Sequence, residues 1–154
     1  MVDYSVLEIR KLDGSLTEPL ADFFRILRAV GDEKIFHPHK LTDEEASQRT
    51  LYRGKDLYYA MVRGREILGY GVLRGWDEGY TVPSLGIAIR PSARDKGLGE
   101  LMVRFLHAAA IQRGANRVRL KIYPNNTKAL KLYKKLGYTF QGEEAGQMVG
   151  YIDL

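Results

Sequence analysis

IRPSARDKGLGELM, Ile89 to Met102, joins a β-branched run (LGIAI, Leu85 to Ile89) to a long apolar-periodic stretch and sets two glycines and several charges at the junction. A strand that becomes a helix through glycine has an ordinary reading, in which glycine supplies φ > 0 and the charges supply solubility. It has a second reading. The first turn of a helix leaves N–H groups unpaired at the positive end of its dipole, and phosphate binds there. The loop is not a P-loop, because Gly99 is followed by Glu100 and Leu101 where a Lys-Ser/Thr pair is required. Nor is it the dinucleotide fingerprint, whose third glycine would fall at Met102.

Working outward, Leu98, Leu101, Met102, Phe105, Leu106 and Ala109 recur with helical period up to Gly114. ANRVRLKIY then alternates, placing Val118, Leu120 and Ile122 on one side and Arg117, Arg119, Lys121 and Tyr123 on the other. NNTKALKLYKKLGY predicts a helix from about Asn126 to Leu136, stopped by Gly137, and short strands at Tyr138–Gln141 and Met148–Leu154 end the chain. Upstream, YSVLEIR (Tyr4–Arg10) alternates as a strand. In EPLADFFRILRAV, Leu20, Phe23, Phe24, Leu27 and Val30 form a helical apolar face. Thr42 and Glu45 predict a capping box for a short helix. Leu57–Arg63 and Glu66–Arg74 read as a hairpin turning at Gly64-Arg65. The order β-α-α-β-β-β-α-β-α-β-β predicts an α/β (mixed α+β) fold with helices on both faces of a central sheet.

The 154 residues, 45% hydrophobic and 28% charged, are expected to form one globular domain over 1–154. With no cysteine, disulfides, zinc–thiolate sites and a cysteine nucleophile are excluded. Three histidines, His37, His39 and His107, do not suggest a metal site. MVDYSVLEIRKLDG lacks the basic and apolar regions of a signal peptide, and no apolar run reaches membrane-spanning length, so a cytoplasmic protein without membrane contact is expected. The net charge of +5 fits an anionic partner or simple solubility. Its cations are scattered rather than striped with aromatics, which argues against nucleic acid.

Two signatures stand together. Arg94-Asp95-Lys96-Gly97-Leu98-Gly99 opens the long helix, and Asn126, Ala129, Leu132, Tyr133, Gly137 and Tyr138 recur through the last one. The pair, at this spacing and in this strand–helix order, resembles the GNAT superfamily of acyl-CoA-dependent N-acetyltransferases, densely over Leu85–Tyr138. The resemblance implies a mostly antiparallel sheet of about six to seven strands and acetyl-CoA as co-substrate. It implies a cofactor site made of the main chain at Ile87, Ala88 and Ile89, the loop Arg94, Asp95, Lys96, Gly97, Leu98 and Gly99, and Asn126, Ala129 and Tyr133. Arg94 and Lys96, with Lys134 or Lys135, are candidate partners of its phosphates. Pantetheine is expected to lie along Leu85–Ile89, where Ser84, Gly86 and Ala88 form a face of small residues suited to close approach or to tight packing. Tyr133 is expected to protonate the departing thiolate, whose pKa of about 8.5 lies below that of a phenol near 10, so placement matters more than acidity.

The pattern departs from the family at the general base. Pro83 and Lys121 stand where many relatives carry glutamate, leaving Asp77, Glu78 or a water chain for the proton. Arg119, Lys121 and Tyr123 on one strand face suggest an acceptor amine with a carboxylate or phosphate, and nearby cations would depress its pKa. Tyr52, Tyr58, Tyr59 and the His37-Pro38-His39 loop fall where the family builds its acceptor wall, although histidines in such a loop are ordinarily surface residues. The expectation is direct acetyl transfer to a small-molecule amine. A protein N-terminal or lysine acetyltransferase and a non-catalytic acyl-CoA-binding module are the alternatives, and a homodimer is one option for the assembly.

Overall fold

In the computed structural model, which describes residues 1–154, the chain runs β1 (Leu7–Lys11), α1 (Thr17–Ala29), α2 (Asp43–Thr50), β2 (Leu57–Arg63), β3 (Glu66–Arg74), β4 (Ser84–Ile89), α3 (Leu98–Arg113), β5 (Arg117–Ile122), α4 (Thr127–Lys135), β6 (Thr139–Glu144) and β7 (Gln147–Asp153). This is the order predicted from the sequence. The strands form one seven-stranded sheet ordered β1-β2-β3-β4-β5-β7-β6. Every neighbouring pair is antiparallel except β4 and β5.

Apolar alternation divides the core between the two faces. Leu20, Phe23, Phe24 and Leu27 of α1 are fully buried with Tyr58, Ala60, Tyr70 and Val72 on one side. Met102, Val103, Leu106 and Ala110 of α3 pack with Leu73, Leu85, Val118 and Leu120 on the other. Fully burying a side chain of this size contributes about 1.5–3 kcal/mol. Two residues expected on these faces lie outside: Val30 is the C-cap of α1 and exposed, and Leu101 is 43% exposed. The face of α3 is shifted by one residue, with Val103 inward, because the helix is flanked by apolar side chains on both margins and the sheet selects the one that fits. The first strand begins at Leu7 rather than Tyr4.

Thr42 caps α2 as expected, accepting the Glu45 N–H at 3.1 Å, but Glu45 does not reach back; its carboxylate turns to Arg49 at 3.3 Å. A tie that no local pattern signals holds the β3–β4 turn. Asp56 is buried, and its Oδ1 accepts the N–H groups of Gly75, Trp76 and Asp77 at 3.0, 2.9 and 3.3 Å.

The feature that positions the site is the seam between β4 and β5. They meet at a single register pair, Ser84 with Arg119, where the Arg119 N–H donates to the Pro83 carbonyl at 3.0 Å. Beyond it the strands splay.

Candidate active site

Splaying leaves half of the β4 main chain facing a gap. The Arg90 N–H donates to Leu68 of β3 at 2.7 Å, so by alternation Ser84, Gly86 and Ala88 also turn their main-chain groups to β3. Those of Leu85, Ile87 and Ile89 therefore face the gap. Ala88, expected to offer main-chain groups to a ligand, is instead paired with Tyr70. The small face of Ser84, Gly86 and Ala88 does line the gap, and at Gly86 it is also packed tightly. A Cβ on Gly86 would stand 2.8 Å from Pro38 and 3.2 Å from Val72, so the small side chain makes room for the Phe36–Pro38 loop.

A cleft of about 1120 Å³ occupies the gap and continues to the N-terminus of α3. The residues expected to hold cofactor, to catalyse or to meet the acceptor on β5 line it together with Glu78, except Lys96, Lys134 and Lys135, which are exposed and stand outside it. At one end, six consecutive main-chain N–H groups, Asp95 through Glu100, donate to no acceptor in the protein, and no side chain caps the helix. Gly97 has φ +84°, where an L side chain is strained, and this turns the chain so that the N–H groups converge. Gly99 differs. Its φ is not positive and a Cβ there would make only ordinary contacts of 3.7 Å or more, so the fold itself does not require glycine at that position. Bare donors at a dipole's positive end, next to a glycine the fold does not need, form a cradle suited to an anion.

The charges around the cradle are arranged differently from the sequence expectation. Arg94 ion-pairs with Asp32 and donates from Nε to the Ile89 carbonyl at 3.0 Å, tying the loop to the turn after α1. Asp95, with φ +63°, pairs with Lys128. Lys135 bonds Glu100 at 2.7 Å, and Arg104 bonds it at 3.2 Å. These two cations hold the Glu100 carboxyl below its usual range and draw it away from the helix N-terminus. Lys96 makes no ion pair. Asn126 lines the cleft while its Oδ1 caps α4, accepting the Ala129 N–H at 3.4 Å.

Tyr133 reaches the cleft from α4. The side chain is buried, its ring packs edge-on against Tyr138 at 5.4 Å, and its hydroxyl has no hydrogen-bond partner within the protein. Burial alone pushes the phenol far above its ordinary value, so it stays protonated and able to donate.

On the β5 side, Tyr123 spans the top of the gap to His37, with Oη 3.2 Å from Nε2 and the rings 5.3 Å apart. Lys121 and Arg119 do not form an uncompensated positive face. Glu144 of β6, which the sequence did not single out, lies 3.1 Å from Arg119 and 3.7 Å from Lys121. Asp77 is occupied elsewhere, accepting the Tyr52 hydroxyl and the Lys55 N–H. Of the carboxylates that line the cleft, Asp32, Asp95 and Glu100 are ion-paired and Glu78 is not. Tyr52 and Tyr58 instead stack with Arg49, and Tyr59 packs on Phe105. His39 is not a surface residue. Its side chain is 4% exposed among Phe24, Phe36 and Tyr70. Nδ1 donates to the Lys40 carbonyl at 2.6 Å, so Nε2 accepts the Tyr70 hydroxyl at 2.7 Å. Burial lowers its pKa to about 4.

Residues 21–138 match the model of the Acetyltransferase (GNAT) family. The chain is 25% identical to a thialysine N-epsilon-acetyltransferase of Mus musculus, the match covering 84% of this chain and 91% of the relative. It is 30% identical to a spermine/spermidine N(1)-acetyltransferase of Bacillus subtilis (strain 168), with 68% of this chain and 70% of the relative covered. Among solved structures, the PaiA N-acetyltransferase of Thermoplasma acidophilum in complex with coenzyme A superposes with a TM-score of 0.78 at 16% identity, over 97% of this chain and 99% of that one. The GNAT domain of S. lividans PAT does so with 0.81 at 17%, over 96% and 90%. A cradle of bare amides, a split sheet edge beside it and the family match lead to one assignment: the chain belongs to the GNAT acetyltransferase family and is an acetyl-CoA-dependent N-acetyltransferase.

Proposed function

We propose that this enzyme acetylates the primary amine of a small molecule by direct attack within a ternary complex, as one domain working in the cytoplasm. The observation that carries the reading is the continuity of one cleft from the unpaired N–H groups of Asp95–Glu100, past the gap-facing main chain of Ile87 and Ile89, to the unpartnered hydroxyl of Tyr133. Relatives named for thialysine and for spermine and spermidine support a small acceptor.

The co-substrate supplies an activated acyl group as a thioester. The α3 N-terminus holds its diphosphate through main-chain donors, with the helix dipole adding to the attraction. The Ile87 and Ile89 N–H groups provide donors toward the gap for the developing oxyanion. Tyr133 gives its proton to the departing sulfur; its high pKa disfavours ionisation, so the hydroxyl donates only as negative charge accumulates beside it. Glu78, the unpaired carboxylate of the cleft, takes the proton that the attacking amine loses.

Two measurements test the reading. Calorimetry should show acetyl-CoA binding that weakens as ionic strength rises, and an absence of heat at millimolar concentration would overturn it. Glu78→Gln should lower kcat about tenfold near neutral pH, with partial recovery as alkaline solution deprotonates the free amine. An unchanged kcat at every pH would remove Glu78 from the mechanism.

A further inference from the structure

The acceptor half of the cleft holds a cation that nothing in the protein neutralises. Four basic side chains line this half: Arg74, Arg117, Arg119 and Lys121. Arg117 pairs with Asp153 at 3.3 Å, and Arg119 and Lys121 share Glu144. Arg74, half-buried at the end of β3, makes no ion pair and no side-chain hydrogen bond. It follows the buried Tyr70 and Val72 on one face of β3 and is itself half-buried, so it sits against the desolvated side of the sheet rather than in open solvent. A guanidinium in such surroundings gains more from a bound anion than one on the surface does.

Its neighbours are set by strand register. Arg74 pairs with Ser84, Ser84 with Arg119, and Arg119 with Tyr151, so these four side chains form a row across the same sheet face. The hydroxyl of Ser84 therefore stands between two guanidinium groups. Arg119 gives Nη2 to both carboxylate oxygens of Glu144, and its Nη1 makes no hydrogen bond within the protein. Guanidinium donors from each side and a hydroxyl between them match the acceptor geometry of a carboxylate.

Resting on the acetyltransferase reading above, we propose that Arg74, Ser84 and Arg119 bind a carboxylate of the acceptor, and that the acceptor is an ω-amino carboxylate. Position along the strand sets the length. Ile87 lies three residues from Ser84, about 10 Å along the strand. An α-amine, held about 3 Å from its own carboxylate, cannot span that distance, whereas an amine on a spacer of about four to six carbons can. The register thus separates recognition from reaction along one strand.

Matched pairs test this: 6-aminohexanoate against hexylamine, lysine against 1,5-diaminopentane, and glycine as the short control. The wild-type enzyme should prefer each long carboxylate over its carboxylate-free partner by about 10- to 100-fold in kcat/KM and should leave glycine almost untouched. Arg74→Gln should abolish the preference through KM while retaining turnover of hexylamine, and Arg74→Lys should restore part of it. Calorimetry of 6-aminohexanoate on the coenzyme A-saturated protein reads the same site without chemistry, and Arg74→Gln should remove the heat. Equal kcat/KM within the pairs, or a preference that survives Arg74→Gln, overturns the inference and leaves the transferase assignment standing. Arg74-dependent binding without acetylation of any amine supports the carboxylate site and overturns the small-amine acceptor reading.

Discussion

Tyr133 is the residue on which the proposed chemistry turns, and its surroundings define a narrow test. Tyr133→Phe keeps the ring against Tyr138 and removes only the unpartnered hydroxyl. kcat should fall by about tenfold or more with acetyl-CoA affinity nearly unchanged, measured by steady-state kinetics beside calorimetry. Because burial raises this phenol, the kcat profile should show no alkaline fall from its ionisation up to about pH 10. His39 gives a residue-scale prediction about stability. Its folded pKa of about 4 lies below the ordinary 6.5. The unfolded chain therefore binds more protons between those values, and acidification through that window removes stability that is fully present above it. The loss is about 3 kcal/mol at the acid end. Denaturant titrations at pH 4.5 and 7 should show it, and His39→Gln should shrink the difference. That Tyr133 reaches the cleft was legible because it stands inside a spaced signature. The burial of His39 was not, because a His-Pro-His triplet looks solvent-facing until Phe24, Phe36 and Tyr70, from three separate segments, close around it.

At the scale of elements, the entrance to α3 is two devices in one: a left-handed residue that turns the chain and a first turn with bare donors. Gly97→Ala should cost about 1–2 kcal/mol through its φ of +84°, lowering Tm, and should weaken acetyl-CoA binding because the N–H groups no longer converge. Gly99→Ala separates the two effects. It meets no neighbour closer than 3.7 Å, so Tm should hold while acetyl-CoA affinity falls, and unchanged affinity would show that no ligand approaches there. The element order was readable because strand and helix periods alternate cleanly and because Gly31, Gly114 and Gly137 stop their helices. The partners of the charged residues were not. Glu100 with Lys135, Arg119 with Glu144 and Asp56 with Gly75 are 35, 25 and 19 residues apart, and no local pattern encodes which carboxylate a folded chain brings to which cation. Asp56 carries its own expectation. Asp56→Ala would leave three N–H groups of the β3–β4 turn unpaired and cost about 2–3 kcal/mol in a denaturant titration, with Asp56→Asn costing less.

For the whole molecule, the sheet has a hydrogen-bonded ladder at every junction but one. A ligand that binds only the folded form stabilises it, by about 2.7 kcal/mol at a hundred times its dissociation constant. For a chain of this length the shift in Tm is about 5–10 °C, readable by calorimetric melting with and without acetyl-CoA. The fold class followed from alternation and order alone, whereas the cleft's chemical polarity emerged only when seven strands fixed which side chains stand side by side. The single pair between Ser84 and Arg119 has one more implication. Strands β1 to β4 come from residues 7–89 and strands β5 to β7 from residues 117–153, so the junction divides the protein into two consecutive half-shells with α3 as the strap between them. On the binding mode proposed for it, a coenzyme lodged across that joint would act as mortar. Amide hydrogen exchange should slow on both shores of the joint when it binds, and the enzyme at rest should breathe there first.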